Sequence, residues 1–207
     1  DLGMFGGAVK ERPSSPPRLL HVGRISFEKN CDVVLDAFSL IRRSMPGATL
    51  TIVGDGPALE SLRALAVRLG IADSVVFTGF VPRAELPDLY PRYDLFLTAS
   101  TMETQGLVVL EAIASGLPCV GVDAYALPEL IHHGENGSIA RPIARGEMAR
   151  MALDILGDAA RYRSFSAGGL RIASEHEINR CANRLEGVYA RQSARAGSRL
   201  TRMAVAV

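Results

Sequence analysis

Two glutamates stand eight residues apart in the stretch STMETQGLVVLEAIASG, residues 100–116. Glu111 lies inside an apolar helical pattern, where a buried carboxylate without a partner is costly. The residues three and four positions from it are Leu107, Val108, Ala114 and Ser115, so its own helix offers no cation. Glu111 therefore faces water at a cleft, pairs with a distant cation, or accepts hydrogen bonds from a ligand. We favour a ligand, because a vicinal diol offers two donors to one carboxylate.

The start of the same helix could bind an anion or a sugar hydroxyl. The pattern predicts a helix from about Gln105, which leaves the amides of Gln105, Gly106 and Leu107 free to donate. Glu103 lies at this position, either as a ligand-binding carboxylate or simply as a favourable charge at a helix N-terminus.

Two cations follow the first predicted strand in the segment GRISFEKN. Gly23 permits a close approach of the backbone, and Arg24 and Lys29 flank the start of a helix. Together these features favour a phosphate site. The alternative is a solvated loop in which Arg24 pairs with Glu28.

Two further loops follow predicted strands. The segment GDGP contains Gly54 and Asp55, and its small residues could serve either a ligand or only a tight turn. The segment TGFVP contains Gly79, Phe80 and Val81, which could present main-chain groups and an apolar wall to a flat ring. A packed loop is the alternative there.

These loops need a scaffold that brings them together. Short apolar strands are predicted near residues 18–22, 49–54, 74–79, 94–100, 118–122 and 137–141, and helical patterns alternate with them. The alternation predicts an α/β fold, a parallel sheet of about six strands with helices on both faces. Ligands of such sheets bind beyond the carboxyl ends of the strands, where these loops lie.

Composition and missing motifs exclude several functions. The net charge is +1, which gives no support to nucleic-acid binding. Three separated cysteines without a CxxC pair favour reduced thiols in the cytoplasm, and no apolar run is long enough to span a bilayer. The chain lacks a P-loop motif and a GxGxxG motif after the first strand. No DxD motif occurs, and His132 and His133 are predicted at the surface, so we predict no metal site.

The ordered motifs make the sequence similar to a known family. GRISFEKN, IVGDGP, FTGFVP, ETQGLVVLEAIASGLP, LPELI and GENG follow one another along the chain. With them, roughly residues 19–190 resemble the C-terminal, nucleotide-sugar-binding half of retaining GT-B glycosyltransferases of the GT4 type. The resemblance implies a Rossmann-like domain that binds a nucleoside diphosphate sugar, a UDP-sugar in our interpretation, and an intact enzyme that transfers a hexose with retention.

The resemblance also implies roles for individual residues. Arg24 and Lys29 match the pair that holds the donor diphosphate and supports its departure, and Glu103 matches the carboxylate at the donor sugar. Glu111 matches the carboxylate that binds ribose. The other implied donor-binding residues are Gly23, Gly54, Asp55, Gly79, Phe80, Val81, Thr104, Gln105, Gly106 and Leu107. Such enzymes need no metal and no cofactor.

The same resemblance predicts the organisation of the whole protein. Residues 1–17, rich in Gly, Pro and Ser, are interpreted as the remnant of an interdomain linker, and residues 18–175 as the donor-binding domain. Residues 176–207 are expected to form a helix that crosses back to an N-terminal acceptor domain absent from this chain. That domain would allow peripheral contact with the inner face of the membrane. Tyr125 and Ala126 replace the Gly-Gly of many relatives. Together with the segment ETQGLVVLEA, they resemble the branch of the family that glycosylates diacylglycerol.

Two alternatives to a glycosyltransferase remain at this point. A nucleotide-sugar epimerase on the same scaffold would need further catalytic carboxylates and a histidine in the cleft, which the sequence does not offer there. A non-catalytic sugar-nucleotide-binding module would keep Arg24, Lys29 and Glu111 for binding alone.

Overall fold

Six parallel strands form the sheet in the described part of the molecule. The computed structural model describes residues 2–189 and 191. The strands are β1 (Arg18–Val22), β2 (Thr49–Val53), β3 (Val75–Gly79), β4 (Leu95–Leu97), β5 (Cys119–Val122) and β6 (Gly137–Ala140). Their order is β3-β2-β1-β4-β5-β6, and all neighbours are parallel. The predicted fold class is confirmed.

The burial of the strands follows their place in the sheet. β4 and β5 are buried at every residue, and β1 and β2 expose only their first residue. Strands covered on both faces are mostly apolar, and these are, apart from the buried His21 in β1 and Thr51 in β2. The edge strand β3 alternates instead, and its Val76 is 55% exposed.

Helices connect the strands and cover the sheet. They are α1 (Cys31–Ser44), α2 (Leu59–Arg68), α3 (Leu86–Leu89), α4 (Leu107–Ala114), α5 (Leu127–Leu130), α6 (Arg145–Leu156) and α7 (Ala159–Glu175). α1 packs against α2 and α6, and α4 packs against α7. α1 leads from β1 towards one edge of the sheet and α4 leads from β4 towards the other. Right-handed crossovers therefore place these two helices on opposite faces.

The strand order reverses between β1 and β4, which lie side by side. The loops that leave their carboxyl ends therefore separate and open a crevice. Asn30 tethers the two loops across it, because its side-chain amide donates to Ala99 O at 3.1 Å and to Thr101 Oγ1 at 3.0 Å. The tether fixes the spacing of the loops that carry the predicted site residues.

The Gly- and Pro-rich segment before β1 packs against the domain. Leu2–Phe5 forms a short 3-10 helix, and the Phe5 ring meets the Tyr90 ring edge-on at 5.7 Å. Lys10 Nζ donates to Pro91 O at 2.7 Å and Tyr93 O at 2.8 Å. The segment is thus held at several points, while its interpretation as the remnant of an interdomain linker stays a prediction.

The chain continues as a helix after a turn at His176 and Glu177. Residues 178–189 and 191 are helical, whereas residues 190 and 192–207 lie outside the described part. The predicted crossing of this region towards another domain therefore stays a prediction. No helix in the described residues is both long and apolar enough to traverse a bilayer.

Candidate functional site

A cavity of about 490 Å³ opens at the carboxyl ends of β1, β2 and β3 and is bounded by α4. Eight predicted residues line it: Gly23, Arg24, Gly54, Asp55, Phe80, Val81, Leu107 and Glu111. Its other lining residues are Val22, Val53, Arg83, Leu86 and Val108. The predicted residues Lys29, Gly79, Glu103, Thr104, Gln105 and Gly106 are not part of this lining. The tertiary structure therefore brings together the loops that the sequence singled out, but only part of the predicted set shares one cavity.

The loops around the cavity are bonded to one another through their backbones. Ile25 N donates to Asp55 O at 2.9 Å, and Gly54 N donates to Gly79 O at 2.9 Å. Gly54 has a φ of 137°, and a Cβ there would lie 1.8 Å from Gly23 O. The glycine is thus required by the close approach of two loops, and both Gly54 and Asp55 also line the cavity.

The two predicted cations differ in burial and in ion pairing. Lys29 Nζ lies 2.7 Å from Glu103 Oε2, and both side chains are about four-fifths buried. Arg24 is exposed, lines the cavity and forms no ion pair within the described residues. The alternative Arg24–Glu28 pair does not form, and Glu28 accepts a hydrogen bond from Ser26 Oγ instead. Arg24 is therefore the cation available to an anion in the cavity.

Glu103 links the loop after β4 to two neighbouring elements. One carboxylate oxygen accepts from Lys29, and the other accepts from Gly106 N at 3.1 Å. Its backbone oxygen accepts from Ala126 N at 3.0 Å, next to Tyr125 with its unusual φ of 47°. Both side-chain oxygens are occupied, so Glu103 is positioned rather than free in solvent.

The start of α4 differs in detail from the prediction. The helix begins at Leu107 and not near Gln105, because Gly106 adopts a left-handed φ of 62° that breaks the helical path. The expectation of a free Gly106 amide is wrong, since that amide donates to Glu103. The amides of Gln105 and Leu107 have no backbone or side-chain acceptor among residues 2–189 and 191. These two amides remain available at the N-terminus of the helix.

Glu111 is 4% exposed and has two protein partners. Tyr90 donates its hydroxyl to Oε2 at 3.1 Å, and Arg83 Nη2 lies 3.4 Å from Oε1. Pairing with a distant cation, one of the three possibilities raised by the sequence, therefore occurs in this structure. Burial raises the pKa of Glu111, while the Tyr90 hydrogen bond and the Arg83 charge oppose that rise. We inferred from the sequence that the partner of Glu111 is a ligand. The structure adds two protein partners, while Glu111 also lines the cavity where a ligand would bind.

Sequence reasoning missed Arg83 and Tyr90. Arg83 follows directly after TGFVP in a short 3-10 turn, so a cation next to a candidate ligand loop was the signal that could have found it. No comparable signal marks Tyr90, because its pairing with Glu111 spans 21 residues and depends on how α3 turns.

A buried histidine supports the crevice from below. His21 Nδ1 lies 2.9 Å from Leu97 O and Nε2 lies 3.3 Å from Cys31 Sγ. The carbonyl can only accept, so Nδ1 carries the proton and Nε2 accepts from the thiol. Burial lowers the pKa of His21 and raises the pKa of Cys31 to about 12, which keeps both groups neutral. This pair ties β1, β4 and α1 together beneath the loops.

The two surface histidines do not form a metal cluster. His132 and His133 are exposed, as predicted. His132 lies beside Glu135, and His133 Nδ1 accepts from Ile139 N. Within the described ranges, no group of three or more His, Cys, Asp or Glu side chains could hold a metal ion.

Comparison with known proteins identifies the family. Residues 8–170 match the sequence profile described as glycosyl transferases group 1. The chain belongs to this family. The resemblance inferred from the motifs is thereby confirmed, and the sheet with its helices matches the GT-B fold of solved group 1 glycosyltransferases.

Individual group 1 glycosyltransferases align over parts of their length. Alpha-monoglucosyldiacylglycerol synthase of Streptococcus pneumoniae is 45% identical over 102 residues, 49% of this chain and 23% of that protein. The GDP-mannose-dependent alpha-(1-6)-phosphatidylinositol monomannoside mannosyltransferase of Mycobacterium tuberculosis is 34% identical over 160 residues, 74% of this chain and 42% of that protein. Anabaena HepE, solved with UDP, superposes with a TM-score of 0.78 at 25% identity, over 92% of this chain and 55% of HepE. The chain thus spans about half or less of these relatives.

Proposed function

We propose that this chain is the donor-binding half of a retaining glycosyltransferase that moves a hexose from a UDP-sugar. The observation that carries the proposal is one cavity with a carboxylate on one wall and an unpaired cation on another, Glu111 and Arg24. The cavity opens at the crevice where ligands of parallel sheets bind. HepE, about half of which has a fold similar to that of this chain, was crystallised in complex with UDP.

A nucleoside diphosphate fits the chemistry of the cavity from one end to the other. The apolar groups of Phe80, Val81 and Leu86 suit the base, and the carboxylate of Glu111 suits the ribose hydroxyls. Arg24 suits the diphosphate, because a guanidinium can bind two phosphate oxygens at once. The unpaired amide of Leu107, at a helix N-terminus, adds a donor of the kind that phosphates favour.

The catalytic contribution lies in stabilising the departing diphosphate. As the bond to the sugar breaks, negative charge grows on the phosphate oxygens, and the charge of Arg24 lowers the energy of that state. The same role for Lys29 stays a prediction, because its ammonium is paired with Glu103 and does not line the cavity. Glu103 contacts sugar hydroxyls in this proposal and is no nucleophile. Its carboxylate is held by Lys29 and by the Gly106 amide, which suits it to orient a sugar. No metal and no cofactor are required.

The acceptor substrate and the cellular location are properties that we propose for the intact protein. We propose a lipid, saccharide or small-molecule acceptor bound by a separate N-terminal domain, in the cytoplasm with peripheral contact at the inner face of the membrane. The names of two relatives refer to lipid-linked sugars, a glucosyldiacylglycerol and a phosphatidylinositol mannoside. They support a role in glycolipid or cell-envelope synthesis.

Calorimetric titration of the chain with UDP, GDP and ADP tests donor binding. We expect UDP to bind most tightly. Tighter binding of GDP, the nucleotide in the name of the mycobacterial relative, would make the UDP assignment wrong. If none of the three binds, the site assignment itself fails.

The Arg24→Ala variant tests the phosphate role. We expect UDP to lose about 1.5–3 kcal/mol of binding free energy, as for a hydrogen bond to a charged group, and uridine to lose much less. Arg92→Ala, at an exposed arginine outside the cavity, is the control and should leave both affinities unchanged. Equal losses for UDP and uridine in Arg24→Ala contradict a phosphate contact.

A further inference from the structure

Both oxygens of the buried Glu111 carboxylate are occupied by protein groups. Tyr90 Oη donates to Oε2 at 3.1 Å, and Arg83 Nη2 lies 3.4 Å from Oε1. The Glu111 side chain is 5% exposed and the Arg83 side chain is 59% exposed. A carboxylate has about four lone-pair sites, but only 5% of this side chain is exposed, so a ribose diol reaches it only if a neighbouring group moves aside.

Only one of the two partners is free to leave. Tyr90 is fully buried, with its ring 5.7 Å from the Phe5 ring and 6.2 Å from the Phe96 ring. Arg83 lies on the one-turn 3-10 helix Arg83–Glu85 and has no second ion pair in the described part of the chain. Its guanidinium can swing towards solvent without disturbing the core, whereas Tyr90 cannot move without opening it.

We propose that Arg83 is a displaceable counter-ion: it closes the ribose subsite of the empty cavity and yields the Glu111 oxygen to the nucleoside hydroxyls when donor binds. The proposal rests on the function proposed above. A buried carboxylate without a partner is costly. Glu111 therefore exchanges the Arg83 guanidinium for the ribose hydroxyls and keeps the Tyr90 hydrogen bond. Arg83 is a positioning residue in this scheme, because it acts through the charge and the accessibility of Glu111.

Within the described residues, Arg83 is the one cation that forms an ion pair with Glu111. Arg24 and Asp55 line the same cavity from the loops after β1 and β2. Tyr90 faces Glu111 from the turn that follows α3, and Cys119 faces Tyr90 from β5. Burial raises the pKa of Glu111 and Arg83 opposes that rise. Without Arg83 the carboxylate should take up a proton at a higher pH and lose its ability to accept from both hydroxyls.

The Arg83→Gln variant distinguishes a counter-ion of Glu111 from a residue that contacts UDP directly. UDP affinity is measured by calorimetry between about pH 5.5 and pH 8.5 for the wild type, Arg83→Gln and the control Arg92→Gln. At the highest pH we expect Arg83→Gln to bind UDP as tightly as the wild type or a few-fold more tightly, because its competitor is gone. Below the raised pKa, its affinity should fall up to tenfold per pH unit relative to the wild type. The phosphates of free UDP titrate identically in all three measurements, so their contribution cancels from the ratio of dissociation constants.

Two further measurements complete the test. With 2′,3′-dideoxy-UDP, which lacks the diol, the pH dependence should be the same in Arg83→Gln and the wild type. A carbon-13 NMR titration of the ligand-free proteins should give Glu111 a higher pKa in Arg83→Gln than in the wild type and Arg92→Gln.

The outcomes distinguish this inference from the proposed function. Parallel pH profiles for UDP in wild type and Arg83→Gln, or an unchanged Glu111 pKa, overturn the counter-ion role while donor binding stands. Failure of the wild type to bind UDP at any pH overturns the proposed function and with it the ribose subsite. The NMR titration then still decides whether Arg83 holds the charge of Glu111.

Discussion

Glu111 illustrates how neighbours set the charge of a single residue. Its helix is apolar, and burial favours the protonated form, while Tyr90 and Arg83 favour the ionised form. Burial is the largest of these influences, so the pKa of Glu111 remains above its usual value. A site residue of this kind is destabilising when charged, which indicates a role other than holding the fold together.

Glu111→Gln should become more stable relative to the wild type as the pH rises. Because the folded pKa is raised, the folded wild type binds more protons than the unfolded chain between the two pKa values. The wild type therefore loses stability as the pH rises through that window, by about 1.4 kcal/mol for each pH unit that separates the folded pKa from the unfolded one. Glutamine does not titrate. Urea denaturation from about pH 4 to pH 8 should show the free-energy difference, variant minus wild type, rising with pH.

The control for this titration is Val67→Gln, because the Val67 side chain is 68% exposed and neither valine nor glutamine titrates. We expect its free-energy difference from the wild type to stay nearly constant with pH. A constant difference for Glu111→Gln as well would contradict a raised pKa at Glu111.

At the scale of elements, the site depends on loops that pack on one another. The loop after β1 bonds to the loop after β2, and the latter bonds to the end of β3, through backbone groups alone. Gly54 stands where two of these loops come closest. The position of the cavity wall is thus set by backbone contacts more than by any single side chain.

Gly54→Ala and Gly70→Ala form a matched pair that tests these contacts. Both glycines have positive φ, but a Cβ at Gly54 would lie 1.8 Å from Gly23 O, whereas a Cβ at Gly70 meets nothing within 4 Å. Gly70→Ala should lose about 1 kcal/mol of unfolding free energy through backbone strain. Gly54→Ala should lose several times more or fail to fold, since two backbone segments must separate. Equal losses in thermal or urea denaturation would contradict the close approach.

At the scale of the whole molecule, the segment before the first strand packs on the core and on residues next to the site. Phe5 is 2% exposed and touches Tyr90, the residue that orients Glu111. Ser14 donates to the buried carboxylate of Asp94, and Gly7 N donates to Ala114 O at the end of α4. A segment that composition alone assigns to a linker thus forms part of the floor beneath the site.

Phe5→Ala should therefore affect both stability and the site. Truncating a buried phenylalanine typically removes about 3–5 kcal/mol of unfolding free energy. In protein that remains folded, UDP should bind more weakly, because Tyr90 loses the ring that holds it. Met4→Ala is the control at the preceding position, where the side chain is 52% exposed. It should change the free energy of unfolding by less than about 0.5 kcal/mol. Similar stability for the two variants would mean that the segment is not part of the folded core.

Much of the fold follows from local pattern. β1 (Arg18–Val22) has the predicted bounds, because a short apolar run is a property of neighbouring residues alone. The start of α4 is predicted less well, since the left-handed φ of Gly106 is set by its contact with Glu103 and by the nearby Leu130. Local pattern does not contain such contacts.

The sequence by itself determined the α/β class, the family and the loops that carry Arg24, Lys29, Glu103 and Glu111. These follow from residue types and short spacings. Only the tertiary structure decided how the charges are paired: Lys29 with Glu103, Glu111 with Arg83 and Tyr90, and Arg24 left open to the cavity. The physical reason is that an ion pair depends on distance in space, and the order of the strands, which brings distant loops to one edge, sets that distance.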